Sequence, residues 1–216
     1  MRQTDCTVSE PENPWSVLGS RTLHEDHWLR LRVDRCRTAW GAEVPSYHVI
    51  ELPCWANICA LNEAHELILI REYRHGVGRT LLGLPGGRVE ADESPLAGAQ
   101  RELAEETGYG GGRWFATQRM FSSPAMQNNH GDCFLVVGAR PDATRNLDPA
   151  ERIEVVPTPF DEVVAQIARR EIQMAAYDVA SILAAAGVVM SLPEQKLRPL
   201  RRRLAAAWRA AYGLQK

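Results

Sequence analysis

Between Val17 and Glu51 apolar and polar positions alternate: Leu29, Leu31 and Val33 fall on one face, Arg30, Arg32 and Asp34 on the other. A period of two is that of a half-buried strand, and Trp40-Gly41-Ala42 marks a turn before Tyr47, Val49 and Glu51, so this stretch predicts a small antiparallel sheet. Further strands are predicted over 55–61, over Leu67–Arg71 after the turn Asn62-Glu63-Ala64-His65, and over Leu81–Leu84. The pattern then becomes helical from Pro95 to Thr107. Ser94 is its N-cap, proline its first residue, Gly108 stands just beyond its end, and Leu96, Ala99 and Leu103 are its expected buried stripe. Two strands over 113–121 and 132–140 and a short one over Ile153–Val156 follow, then helices over about 159–170, 177–187 and 194–212. Strands interrupted by one helix and then closed by several predict an α+β sandwich rather than alternating βαβ units.

The chain has 216 residues, 45% hydrophobic and 24% charged, which excludes disorder and fibrous repeats. A chain of this length buries about 70% of its unfolded surface and needs neither disulfides nor a structural metal for stability. The five cysteines, Cys6, Cys36, Cys54, Cys59 and Cys133, lack zinc or redox spacing and read as reduced thiols packed as small hydrophobes. No apolar leader opens the chain, and the run Ile182–Met190 is about half a membrane span, so a cytoplasmic protein without membrane contact is expected.

Charge changes the picture only when divided along the chain. The formal −2 is the sum of −9 over residues 1–194 and +7 from Lys196, Arg198, Arg201, Arg202, Arg203, Arg209 and Lys216. An acidic body argues against nucleic acid as a partner. The tail places Leu197, Leu200, Leu204, Trp208 and Ala211 at helical spacing, with Arg201, Arg202 and Arg209 among the flanking residues, and reads as a helix docked on the acidic body or on a dimer partner. Contact with nucleic acid or an anionic membrane is the alternative for that segment. The expected organisation is a β arm over 1–51, a central domain over 52–190 and a basic C-terminal helix over 191–216.

The candidate chemistry lies between Gly86 and Tyr109. On a helix over 95–107, Glu102 and Glu106 are four apart and their carboxylates stack on one face, while Arg101 and Glu105 form a pair on the adjoining stripe. Stacked carboxylates repel, and a hard divalent cation removes the conflict; Mg²⁺ suits such oxygen ligands, usually together with substrate phosphates. The loop Leu84-Pro85-Gly86-Gly87 permits close backbone approach, so a carbonyl there can join the coordination. A solvated acidic helix face is the plainer alternative.

Residues 87–109 resemble the Nudix box. Gly87, Glu93, Arg101, Glu102, Leu103, Glu105, Glu106 and Gly108 match it, and Tyr109 stands where the pattern has an aliphatic residue. The resemblance implies a Nudix α/β/α sandwich with a mixed sheet, an N-terminal antiparallel β arm and a C-terminal helical extension. It also implies Mg²⁺-dependent hydrolysis, with Mn²⁺ as a substitute, of a nucleoside diphosphate linked to another moiety. In that family's terms Glu102, Glu106 and the Gly86 carbonyl hold metal, Arg101 holds Glu105 in place, and Glu105 reaches a metal through water. The run Leu69–Gly78 with Leu84–Gly87, and Pro124 sixteen residues after Gly108, are similar to the ADP-ribose and ADP-sugar pyrophosphatase branch. That branch implies cleavage of ADP-ribose to AMP and ribose 5-phosphate, a homodimer through the N-terminal sheet, Arg74 as a phosphate or ribose contact and Trp28 as an adenine platform. Glu151 matches its outside base, with Glu154 the runner-up. Ser123-Pro124-Ala125 and the segment through His130 depart from the branch where the terminal sugar is expected, which leaves another ADP-sugar or a GDP-sugar open. The rivals are cleavage of dNTPs or dinucleotide polyphosphates, and a non-catalytic nucleotide-sensing regulator, against which the intact box and the short tail argue.

Overall fold

The structure is a computed structural model that describes residues 14–213; residues 1–13 and 214–216, with Cys6 and Lys216 among them, lie outside the described residues. The chain forms two compact units, one of the residues up to Pro53 with Ser123–Asn129, the other of Cys54–Ser122 with His130 onward.

In the first unit β1 (Trp15–Glu25), β2 (Arg30–Thr38) and β3 (Glu43–Glu51) form an antiparallel sheet in that order. The turn after β1 has no counterpart in the predicted pattern. There Asp26 accepts the N–H groups of Trp28 and Leu29 at 2.8 and 3.0 Å, a side chain taking the place of backbone. The phase of β2 also differs from expectation: Asp34, Cys36 and Thr38 are buried, while Leu31 and Val33 are only half-buried. Arg32 pairs with one oxygen of Asp34 and, at 2.8 Å, with Glu51, while the other Asp34 oxygen is buried without a hydrogen-bond partner among the described residues. Residues 123–129 run along β3, where the Tyr47 hydroxyl donates to the Ala125 carbonyl at 2.7 Å and Ile50 N–H to Met126 at 2.7 Å.

The second unit contains β4 (Trp55–Asn62), β5 (Glu66–Arg74), β6 (Arg79–Gly83), β7 (Gly86–Arg88), α1 (Pro95–Thr107), β8 (Tyr109–Gly110), β9 (Arg113–Phe121), β10 (His130–Pro141), β11 (Glu154–Pro159), α2 (Phe160–Ala168), α3 (Ala176–Ser191) and α4 (Arg198–Tyr212). Its sheet runs β11-β5-β4-β10-β8, with β6 on β5, β7 on β4 and β9 on β10. Only β4 and β10 pair in parallel, which makes the sheet mixed. Alternate residues serve opposite layers. Ala56, Ile58, Ala60, Ile68, Phe134 and Val136 pack with Ala99 and Leu103 of α1, whereas Cys59, Leu61, Leu67, Leu69 and Leu135 pack with α2, α3 and α4. This is the expected α/β/α sandwich. Its central strands are covered on both faces, so they read as continuous apolar runs.

Departures from expectation are local. β7 and β8, of three and two residues, are too short to show a period. β11 runs on through Pro157 and Pro159, tolerated because it is the sheet's terminal strand. The last predicted helix breaks into a 3₁₀ turn over Gln195–Leu197 and α4, with Pro199 in its first turn. Leu197, Leu200 and Leu204 are fully buried against Phe160, Val163 and Ile182, so the tail's apolar stripe docks on its own unit. Each such side chain contributes about 1.5–3 kcal/mol. On α1 Leu96 is 39% exposed; the buried stripe is Ala99, Leu103 and Glu106. The helix is turned so that a carboxylate, not its first leucine, points inward.

Candidate active site

Local signals fix α1. Ser94 accepts the Ala97 N–H at 3.2 Å, and Gly108, at φ 75°, returns its N–H to Ala104 at 2.8 Å, a left-handed cap that suits glycine. The helix lies beside the loop joining β6 to β7. Pro85 accepts the Ile58 N–H at 3.0 Å, and Gly86 donates its own N–H to Glu106 Oε2 at 2.8 Å. A Cβ on Gly87 would stand 2.3 Å from the Glu102 carboxyl, so the absent side chain lets Glu102 lie against β7.

Four carboxylates sense one another here. Burial pushes Glu106 up to about 8; the Gly86 N–H opposes this, and the charges of Glu102, Glu72 and Glu151 add to it. Burial also raises Glu102, against Arg101, with Glu105 and Glu151 adding to the rise. Glu72 on β5 is raised by burial and by Glu151, while Arg74, at 2.9 Å, pulls the other way. Glu72 is the member that sequence reasoning missed. Its signal was strand parity: it shares the β5 face of Ile68, which packs toward α1.

Arg101 organises the adjoining stripe. Its guanidinium donates to Glu93 at 2.7 Å, Glu102 at 2.8 Å, Glu105 at 2.9 Å and the Arg88 carbonyl at 2.9 Å. These carboxylates hold its proton well above the ordinary arginine range, and it in turn lowers Glu93. Glu151 stands in the loop before β11, where it accepts the Asp148 N–H at 3.1 Å. Glu154 instead opens β11, 63% exposed and paired with Arg71 at 2.5 Å. Arg74 reaches the group through Glu72. Trp28 belongs to the other unit, 67% exposed in the β1–β2 turn and stacked near His27, and is not among the residues that the larger unit brings together.

The donor set can be tested against a divalent cation. Among the described residues no group of three or more His, Cys, Asp or Glu side chains stands close enough to hold a cation unaided. Mg²⁺ does not require one: it takes one or two carboxylates and completes its shell with water and substrate phosphate. Hard oxygen donors are present in Glu102 and Glu106, the backbone of Gly86 lies against Glu106, and their mutual repulsion has no arginine to offset it at Glu106. The residues fit such an ion.

Comparison with known proteins finds matches over both units. The family model described as the NUDIX domain matches residues 55–177, and that described as the nucleoside diphosphate sugar hydrolase N-terminal domain matches residues 15–50. The chain is similar to the ADP-ribose pyrophosphatase of Bacillus subtilis (strain 168), 26% identical over 57% of this chain and 68% of the relative. It is also similar to the ADP-ribose pyrophosphatase of Mycobacterium tuberculosis (strain ATCC 25618 / H37Rv), 30% identical over 60% of this chain and 62% of the relative. A solved structure of an ADP compounds hydrolase superposes with a TM-score of 0.73, covering 85% of this chain and 98% of that one at 19% identity. At that identity the likeness is one of fold.

Proposed function

This chain belongs to the Nudix domain family and is a hydrolase of that family, and from that premise we propose that it cleaves the pyrophosphate bond of a nucleoside diphosphate-sugar, ADP-ribose foremost, giving AMP and ribose 5-phosphate. The observation that carries the reading is Glu106, buried, raised to about 8 and crowded by Glu102, Glu72 and Glu151 beside the Gly86 backbone. The match of residues 15–50 to a nucleoside diphosphate sugar hydrolase model, and relatives named ADP-ribose pyrophosphatase, support the substrate class.

Glu102, Glu106 and the Gly86 carbonyl would hold the cation, Mg²⁺ with Mn²⁺ as a substitute. When bound, it neutralises the pyrophosphate oxygens and polarises the attacked phosphorus. Arg101 keeps Glu102 and Glu105 in fixed orientations at the cost of none of Glu106's charge. Glu151, with no ion pair to occupy it among the described residues, takes the proton of the attacking water as the water oxygen bonds to phosphorus. The bridging oxygen then leaves with the other phosphate. Arg74 is the proposed phosphate or ribose contact, and the exposed ring of Trp28 the proposed adenine platform. Val17 and Leu23 of β1, 57% and 40% exposed, support a homodimer through the N-terminal sheet.

The test is parallel turnover of ADP-ribose, GDP-mannose, dNTPs and diadenosine tetraphosphate by purified protein with Mg²⁺ or Mn²⁺. ADP-ribose should give AMP and ribose 5-phosphate with the highest kcat/KM. Preferred cleavage of dNTPs or the dinucleotide would contradict the assignment.

A further inference from the structure

The loop Leu84–Gly87 is reached from both layers of the sandwich. Glu106 of α1 holds it from one side; from the other comes Asp178 of α3, a carboxylate 8% exposed that the proposed chemistry leaves unused. Asp178 Oδ1 accepts Asn57 Nδ2 at 2.9 Å, and the carboxylate also accepts the backbone N–H of Leu84. Asn57 is the ladder partner of Gly86 and stands 3.5 Å from Ser181 Oγ, whose hydroxyl donates to Cys133 Sγ at 3.1 Å. Two glycines permit the approach: a Cβ on Gly83 would lie 2.9 Å from Asp178 Oδ2, and one on Gly86 2.9 Å from Asn57 Oδ1. α3 otherwise presents Ile182, Ala185, Ala186 and Val189 to this core, so an aliphatic side chain would serve packing better. Burial raises the Asp178 carboxyl to about 6, opposed by the Asn57 hydrogen bond, the charge of Arg74 and the Leu84 N–H.

We propose that Asp178 is a positioning residue for hydrolysis: with Asn57 it clamps the Leu84–Gly87 loop, so that the Gly86 backbone and Glu106 keep one geometry for the cation. The clamp rests on the metal-site reading above, but its effect on the loop can be measured without metal. Its chemistry is specific. An ionised carboxylate accepts from two donors at once, the Asn57 amide and the Leu84 N–H, whereas an amide at 178 would set a donor against one of them.

The experiment compares Asp178→Asn with the exchanged pair Asp178→Asn/Asn57→Asp, in which Asn at 178 can accept from Leu84 and donate to Asp at 57. Amide hydrogen exchange is followed at Leu84 and Gly86 in metal-free protein. Half-saturating Mn²⁺, kcat and KM are followed with ADP-ribose. Asp178→Asn should speed exchange at both amides about tenfold, lower kcat about 10–100-fold and raise half-saturating Mn²⁺ to a similar degree, with KM changed less than about threefold. The exchanged pair should recover each quantity to within about threefold of the parent. Unchanged exchange and Mn²⁺ requirement in Asp178→Asn would overturn the clamp, as would an exchanged pair no better than the single variant. If Asp178→Asn does not fold, the parent alone decides. Its Leu84 amide should be protected like those of β4, and exchange as fast as in an exposed turn would overturn the proposal. Failure of the metal reading looks different: Glu106→Gln would then stay active whatever the loop amides do.

Discussion

Glu93 and Glu105 meet the Arg101 guanidinium at 2.7 and 2.9 Å, whereas Glu106, one residue beyond Glu105 on the same helix, is 6% exposed and accepts the N–H of Gly86. Arg101 lowers Glu93, while burial raises Glu106 to about 8. Arg101 therefore gives Glu93, Glu102 and Glu105 a counter-charge, and among the described residues Glu106 has none beside it. In a fold that covers both faces of its sheet, an inward carboxylate without a counter-charge is costly, and it makes physical sense where a cation from outside completes it. The neighbouring stripe holds the helix face rigid while that happens.

The largest break in this comparison should come from Glu106→Gln, which keeps shape and removes a ligand charge. It should lower kcat at least about 1000-fold, several kcal/mol of transition-state stabilisation. Turnover within about tenfold of the parent would sink the ligand assignment. Glu151→Gln should cost about 100-fold in kcat, whereas Glu154→Gln should change kcat less than about twofold. Equal losses in the two would remove the distinction between loop base and strand ion pair.

Stability should move the opposite way from activity. With Glu106 at about 8 against an unfolded value near 4.5, the native state keeps a proton that the unfolded chain has lost between those pH values. Metal-free protein should therefore lose stability as pH rises through that window, on the order of a few kcal/mol in all. Urea melts in EDTA at successive pH values measure this; Glu106→Gln should remove most of the slope above about pH 6, where the raised Asp178 no longer contributes, and be the more stable protein at pH 8. Smallest among the box substitutions is Glu105→Gln, expected to cost about tenfold because Arg101 retains Glu93 and Glu102. A loss as large as that of Glu106→Gln would mean the two stripes act alike.

The central strands were legible because β4, β5 and β10 carry long apolar runs, and α1 because Ser94, Pro95 and Gly108 punctuate it. β7 was not, since Gly86 and Gly87 carry no side chain from which a period could be read. The site was legible where residues share a helix and lost where they share only a sheet face. Glu102, Glu105 and Glu106 follow from spacing, but Glu72 needed the knowledge that Ile68 faces α1. Asp178 needed the same step on α3: four residues before the buried Ile182, it is an acid at a core position of the helical period. In β2 the alternation predicted the wrong inward face, because ion pairs of Arg32 with Asp34 and Glu51 let polar side chains occupy it.

The central claim is that a divalent cation replaces the proton that burial holds on Glu106. Calorimetric titration of metal-free protein with Mn²⁺ at pH 7, in buffers of different ionisation enthalpy, counts protons released on binding. The account predicts release of about one proton per site in the parent chain and little release, with much weaker binding, in Glu106→Gln. Equal affinity and equal proton release in the two proteins would contradict it.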